Sequence, residues 1–398
     1  MDLIISPGKL SGTVNVISSK SQAHRLLICA AFADGPTELV CPEVNRDMDA
    51  TVACLNALGA DIQRTSVGYM VSPIRKLPDT AILPCRDSGS TLRFLLPVVG
   101  ALGIDTTFLL EGRLGQRPLS PLWEEMTRMG CRLSYRSENQ LHCSGKLAPG
   151  VYRIDGGVSS QFITGLLLAA PLIPGNTRIM ITGNIQSKPY IDMTQDAMAR
   201  FGCATDNYHV ESGSGFCTPG KLNVEGDWSN GAFFLAANAL GSQLEIVNLP
   251  SESLQGDRAV TELLPQLKNN MSISAVHIPD LIPILSIVAA CNEGATFTDI
   301  QRLRMKESDR VASIVAMIKA LGGNAEATEN TLTVYGTGLT GGTVDCMNDH
   351  RIAMAAAIGA TVCPKDVILL GADCVEKSYP KFFDEFRRLG GNYEQYLR

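Results

Sequence analysis

The sequence predicts an α/β fold built from one unit repeated six times and grouped into two globular halves. Three observations predict it. A polar cluster, an apolar helix, a Gly- or Asn-containing turn and a β-rich strand recur in that order. The first helix of every copy is apolar nearly all round. The second helix of most copies ends on a glycine.

The copies read SSKSQAHRLLICAAFADGPTELV, RDSGSTLRFLLPVVGALGIDTTFLL, GVSSQFITGLLLAAPLIPGNTRIMI, GDWSNGAFFLAANALGSQLEIV, HIPDLIPILSIVAACNEGATFTDI and NDHRIAMAAAIGATVCPKDVILL. Their starts lie roughly 70 residues apart, with one step of about 50, which is too long for an ordinary solenoid. A helix apolar on all sides belongs inside a core, not on a surface. The second helices close with CLNALGAD, EEMTRMGC, DAMARFGC, AMIKALGG and DEFRRLGG, where a glycine just past the last apolar residue is a stop signal. The remaining one, DRAVTELLPQLKNN, lacks that glycine. These helices are amphipathic: Val311, Ile314, Val315 and Ile318 form an i, i+3, i+4, i+7 stripe. Short alternating strands such as LTVYG follow, so each unit reads strand–helix–strand–helix–strand–strand. The junction between halves is expected near Val224–Asp227, with no low-complexity linker.

Composition narrows the function. The 398 residues are 45% hydrophobic, enough for two cores. A net charge of −6 gives no overall basic field for nucleic acid or an anionic membrane, so an anion site must be a local cationic pocket. No apolar run reaches membrane-span length, and the N-terminus shows no secretory pattern. The 12 cysteines are scattered without a C-x-x-C pair, which reads as reduced thiols in the cytoplasm. The five histidines are too dispersed for a metal centre. Gly336–Gly341 matches G-x-G-x-x-G, but strand follows where the dinucleotide fingerprint needs a helix.

The polar clusters fall at expected helix starts, whose free N–H groups and partial positive charge attract anions. Ser, Asp and Asn there also serve as caps. Capping does not account for Lys20, Arg117, Lys306, Arg310, Arg351 and Lys377, because a cation at a helix N-terminus opposes the dipole. A bound polyanion would compensate. Lys306 and Arg310 are spaced to share a helix face, and Glu307 stands three residues before Arg310. On residues alone the slightly simpler reading of this trio is a surface ion pair worth a few tenths of a kcal/mol. The other is a carboxyl held among cations for proton transfer.

In order along the chain, SKSQAHR, DSGSTLR, RLGQRP, SSQF, SKPYI, VEGDWS, IPD, RMKESDR, NDHR and VEKSYP resemble the motifs of the 5-enolpyruvylshikimate-3-phosphate (EPSP) synthase family, essentially end to end. The resemblance implies a two-domain inverse α/β barrel-like fold. Each domain would have three βαβαββ units and pseudo-threefold symmetry, with residues 19–225 in one and 1–18 plus 226–398 in the other. The active site would lie in the interdomain cleft. It implies transfer of the enolpyruvyl group of phosphoenolpyruvate to shikimate 3-phosphate, without metal or organic cofactor, by a monomer.

The resemblance also assigns residues. Shikimate 3-phosphate would be held by Lys20, Ser21, Arg25, Ser159, Ser160, Gln161, Ser187, Tyr190, Asp280, Arg302 and Lys306. Phosphoenolpyruvate would be held by Lys20, Gly89, Arg117, Gln161, Arg310, Arg351 and Lys377. Asp280, Glu307 and Lys20 would be catalytic. The substrates carry about five to six negative charges between them, which cations and helix dipoles must offset. Two departures stand out: Arg302 replaces the family's common Asn, and STLRF follows Gly89 where relatives have TAMRP. The unhindered Gly89 is expected to leave room for phosphonate mimics such as glyphosate. The sister family acting on UDP-N-acetylglucosamine normally has Lys-Asn in its first motif and a Cys-bearing loop near the second unit's Arg. Lys20-Ser21 and Gly115-Gln116-Arg117 stand here instead. A non-catalytic phospho-ligand-binding paralogue would not need Asp280, Glu307 and Lys20 together.

Overall fold

The computed structural model describes residues 1–397, which divide into two compact units: Ser18–Glu225, and Met1–Ile17 together with 226–397. The strands form six separate sheets. No helix among the described residues is long and apolar enough to cross a membrane.

In the unit Ser18–Glu225 the helices are α1 (Lys20–Ala31), α2 (Arg46–Ala57), α3 (Gly89–Leu102), α4 (Leu122–Arg128), α5 (Ser160–Ala169) and α6 (Lys188–Arg200). Helices α1, α3 and α5 are the apolar ones, and α5 packs against both others. Their side chains make the core, with Leu26, Leu27, Leu95, Leu96, Ile163 and Leu167 at most 1% exposed. One sheet orders Thr80–Arg86, Asp105–Leu110, Gln140–Gly145 and Cys131–Ser137, the first pair parallel and the rest antiparallel. The parallel pair brackets α3, as a crossover helix requires. In the sheet of Thr37–Val40 the parallel neighbour is Lys221–Asn223, so the end of this unit completes its beginning. The third sheet pairs Gly150–Asp155 with Thr177–Thr182 and ends on the two-residue strand His209–Val210.

The other unit holds α7 (Trp228–Ala239), α8 (Val260–Gln266), α9 (Ile282–Ala290), α10 (Arg310–Ala320), α11 (His350–Ala360) and α12 (Phe382–Arg388). Helices α7, α9 and α11 touch one another pairwise, and every residue of α9 and α11 is buried. The strand Leu3–Ser6 lies between Val367–Leu370 and Asn392–Gln395, antiparallel to both. Met271–Ser274, Gly294–Thr298, Thr331–Tyr335 and Asn324–Ala327 form a complete four-stranded sheet.

The expected unit is therefore met in full by some copies and cut short in others. After α8 no hairpin follows, and the sheet there has only Gln243–Val247 and Ser11–Asn15. The end of α8 is also the one without the glycine stop. Gly59, Gly130, Gly202, Gly322 and Gly390 all take φ between 75° and 115° after the other second helices, a turn that L side chains disfavour. Past Gly336–Gly341 the chain runs into the strand Gly342–Asp345, so the glycine-rich segment is a turn. All 12 cysteines are free thiols.

Candidate functional site

Helix starts position the charged side chains of both units. Side-chain oxygens of Ser19, Ser88, Ser159, Asp227, Asp309 and Asp349 cap α1, α3, α5, α7, α10 and α11. Ser187 takes a left-handed φ of 53° before α6 and makes no side-chain cap bond. Lys20 and Arg310 are the first residues of α1 and α10, and Arg351 is the second of α11.

Three cations stand elsewhere than the sequence suggests. Arg117 follows a 3-10 turn (Leu114–Gln116) and precedes α4 by several residues, because Pro118 and Pro121 delay the helix. Lys377 ends the 3-10 turn Ala372–Lys377, ahead of α12. Lys306 and Glu307 also lie before their helix, since Asp309 caps α10 by accepting from Ala312 N at 3.1 Å. Lys306 and Arg310 therefore share no helix face.

In the unit Ser18–Glu225, Arg25 is 2% exposed and ties α1 to α5 and α6. It donates to Ser21 O at 2.5 Å, Thr194 Oγ1 at 2.8 Å, Tyr190 O at 2.9 Å and Thr164 Oγ1 at 3.4 Å. Burial pushes its guanidinium down to about 10, against the pull of Tyr190, so it stays charged at neutral pH. Lys20 Nζ donates to Asp47 Oδ2 at 2.9 Å. Gln161 Nε2 donates to Ser90 Oγ at 3.0 Å, and its Oε1 accepts from Arg93 Nη1 at 2.7 Å. Arg93 also donates to Pro118 O at 3.1 Å, next to Arg117. A Cβ on Gly89 would stand 2.8 Å from Arg117 Nη1. Lys20, Ser21, Arg25, Gly89, Ser159, Ser160, Gln161, Ser187 and Tyr190 are thus carried on or just before α1, α3, α5 and α6 of one unit, and Arg117 in the segment ahead of α4.

In the other unit, Arg310 is 1% exposed and is the hub of a buried charge cluster. It donates to Asp280 Oδ1 and Glu307 Oε2 at 2.7 Å each and to Asp349 Oδ2 at 2.9 Å. That overturns the surface ion pair. Lys306 Nζ lies 3.5 Å and Arg351 Nη2 3.6 Å from Asp280. Burial works against the Asp280 charge, but Lys306, Arg351 and Arg310 outweigh it and hold the carboxyl well below its usual range. Burial lowers Lys306, with Asp280 opposing. Burial also works against the charges of Arg310 and Arg351; Asp349, Glu307 and Asp280 raise the first, and Asp280, Asp227 and Asp257 the second. Arg302 stands in the 3-10 turn Gln301–Met305 and its charge bears on Lys306. Lys377 is 7% exposed.

Several of the misplaced cations are offset inside the chain: Asp47 meets Lys20, and Asp280, Glu307 and Asp349 meet Arg310. Offsetting is incomplete elsewhere. Arg117 Nε, Arg351 Nε and Arg351 Nη1 are buried without a hydrogen-bond partner among the described residues. Buried donors of this kind are costly unless something accepts from them. No group of three or more His, Cys, Asp or Glu among the described residues is arranged to hold a metal ion.

The sequence reading missed Arg93, Asp47, Thr164 and Thr194, which orient Gln161, Lys20 and Arg25. One signal for Arg93 was available: it is the lone charge in the apolar run of α3.

The family model for EPSP synthase (3-phosphoshikimate 1-carboxyvinyltransferase) matches residues 4–276 and 265–386. A 3-phosphoshikimate 1-carboxyvinyltransferase of Clostridioides difficile (strain 630) is 37% identical over 431 aligned residues, covering 99% of this chain and 98% of the relative. One of Clostridium beijerinckii is 36% identical over 429 residues, covering 99% of both. Among solved structures, an EPSP synthase from Acinetobacter baumannii superposes with a TM-score of 0.80 over 100% of both chains at 20% identity, which shows the shared fold.

Proposed function

The chain belongs to the EPSP synthase (3-phosphoshikimate 1-carboxyvinyltransferase) family, and from that premise we propose that it moves the enolpyruvyl group of phosphoenolpyruvate to the 5-hydroxyl of shikimate 3-phosphate, with both sets of residues serving that one reaction. The observation that carries the residue-level reading is the set of buried guanidinium donors left without an internal acceptor on Arg117 and Arg351. Phosphate and carboxylate oxygens accept from such donors in charge-assisted pairs.

Arg25, Ser159, Ser160, Ser187 and Lys20 hold the shikimate phosphate, and Ser21, Gln161 and Tyr190 line its pocket. Asp280, Lys306 and Arg302 meet the shikimate hydroxyls. The Gly89 amide at the start of α3, Arg117 and Lys377 take the phosphoenolpyruvate phosphate. Arg310 and Arg351 take its carboxylate, which displaces part of their bonding to Asp280.

The 5-hydroxyl oxygen bonds to C2 of phosphoenolpyruvate while its proton passes to Asp280. Glu307, which enters the step protonated once both anionic substrates are bound, gives that proton to C3, turning methylene into methyl and leaving a tetrahedral ketal phosphate. The C2–phosphate oxygen bond then breaks with Lys20 assisting the departing phosphate, Glu307 takes back a methyl proton, and the proton on Asp280 leaves with phosphate. Asp280 is ionised at neutral pH, as an acceptor must be. Fixed cations offset charge better in a site shielded from water.

We place the reaction in the cytoplasm, where free thiols persist, and read the enzyme as a monomer. Phosphate release from phosphoenolpyruvate, measured with shikimate 3-phosphate and then with UDP-N-acetylglucosamine, tests the assignment. Release with the first acceptor only is expected; release with the UDP-sugar, or with neither, would sink it.

A further inference from the structure

Asp257 takes no part in the reaction scheme above, yet it is 2% exposed in the 3-10 turn Gly256–Ala259 of the unit that holds Asp280. Ser229, in the first turn of α7, donates its hydroxyl to Asp257 Oδ2. Asp257 Oδ1 is buried without a hydrogen-bond partner among the described residues. The turn is locked to α7 through Gln255, which accepts from Trp228 N at 3.0 Å and donates to Gly226 O at 2.8 Å. The carboxyl is thus held by Ser229 on a turn that is itself fixed to α7.

Its charged surroundings come from three other elements. Asp227 caps α7, Asp280 precedes α9, and Arg351 stands in the first turn of α11. The Arg351 guanidinium lies 5.9 Å from the centre of the Phe233 ring. Phe233 is one helical turn beyond Ser229 on the same face of α7. Burial and the Asp280 charge push Asp257 up to about 7, while Ser229 and Arg351 pull it down and Asp227 pushes further up. A buried carboxyl with one idle oxygen is a standing cost to folding, and a cost retained beside reactive groups points to use.

The use follows from Asp280. Lys306, Arg351 and Arg310 make it a weak base, and a base gains from a value nearer the working pH. We propose that Asp257 is a positioning residue of the transfer reaction: held by Ser229 within electrostatic reach of Arg351 and Asp280, its carboxylate strengthens Asp280 as the acceptor of the 5-hydroxyl proton and keeps Arg351 balanced once that proton has arrived. This rests on the reading of Asp280 as base. No bond forms or breaks at Asp257, and no proton needs to reach it.

The test is the pH dependence of turnover in phosphate release from phosphoenolpyruvate with shikimate 3-phosphate, for the wild type, Asp257→Asn and Ser229→Ala. The wild type should lose turnover as pH falls through about 7, where Asp257 discharges. Asp257→Asn should be roughly tenfold slower or more on the alkaline side, with little change in either KM, and should lack that fall. Ser229→Ala removes a donor that favours ionised Asp257, so its fall should move to higher pH. An Asp257→Asn enzyme that keeps the wild-type rate, or is slower with the same pH dependence, would overturn the inference. If that variant does not fold, Ser229→Ala decides: an upward shift supports the inference and an unshifted profile overturns it. A wild type that releases no phosphate would bring down the reaction assignment as well, whereas an active wild type with unchanged variant profiles removes only the role of Asp257.

Discussion

Arg310 donates to Asp280 Oδ1 and, through its other terminal nitrogen, to Glu307 Oε2, both at 2.7 Å. The two carboxyls proposed for proton transfer are thus held by one guanidinium whose side chain is 1% exposed. A side chain locked this way is already in place when substrate arrives, and that pre-positioning is what transfer at a fixed carbon needs.

Asp280→Asn and Glu307→Gln keep shape and remove the ability to carry the proton. Each should lower kcat by about 100-fold or more while KM for either substrate moves little. Steady-state phosphate release checks this; a wild-type rate in both variants would remove them from the acid–base scheme.

Arg310→Met should destabilise the protein by roughly 3–5 kcal/mol, because Asp349, which is 0% exposed, would lose the guanidinium that donates to both its oxygens. Arg310→Lys should cost less but still register, since a single ammonium cannot serve three carboxylates in a fork. Urea unfolding measures both. Equal stability of Arg310→Met and wild type would contradict a buried, structurally committed cluster.

Gly89→Ala brings a methyl group 2.8 Å from Arg117 Nη1. The guanidinium is at the end of a flexible side chain, so the protein should fold and Arg117 should shift. Inhibition by glyphosate should weaken by about tenfold or more, and KM for phosphoenolpyruvate should rise. Matched inhibition curves for the two forms would show that Gly89 does not shape the phosphonate pocket.

His24 is buried in α1, with Nδ1 2.7 Å from Thr51 Oγ1, and burial pushes it from 6.5 down to about 3. Because the folded value lies below the unfolded one, stability from the neutral ring is full above pH 6.5 and is lost as pH falls toward 3. At pH 5 the loss is roughly 2 kcal/mol. Melting temperatures across acid pH should fall more steeply for the wild type than for His24→Gln; parallel curves would mean the ring titrates normally.

The repeated unit could be read from sequence because its signals are local. Apolar helices and glycine stops are written in consecutive residues, whereas the missing hairpin after α8 departs from the unit expected there. Placement of Arg117, Lys306 and Lys377 was less legible, because 3-10 turns and prolines separate them from the helices they seemed to start. The orienting residues were harder still. Arg93 meets Gln161 across 68 residues of chain and Ser229 meets Asp257 across 28, and no local period encodes such pairs.

The pairing of Leu3–Ser6 has a consequence for synthesis. Both of its neighbours, Val367–Leu370 and Asn392–Gln395, are synthesised long after it. The segment Ser18–Glu225, in contrast, has every one of its sheet partners by Asn223. Nascent chains can therefore finish the unit Ser18–Glu225 while Leu3–Ser6 waits, unmatched and exposed to wrong partners, for its neighbours to be made.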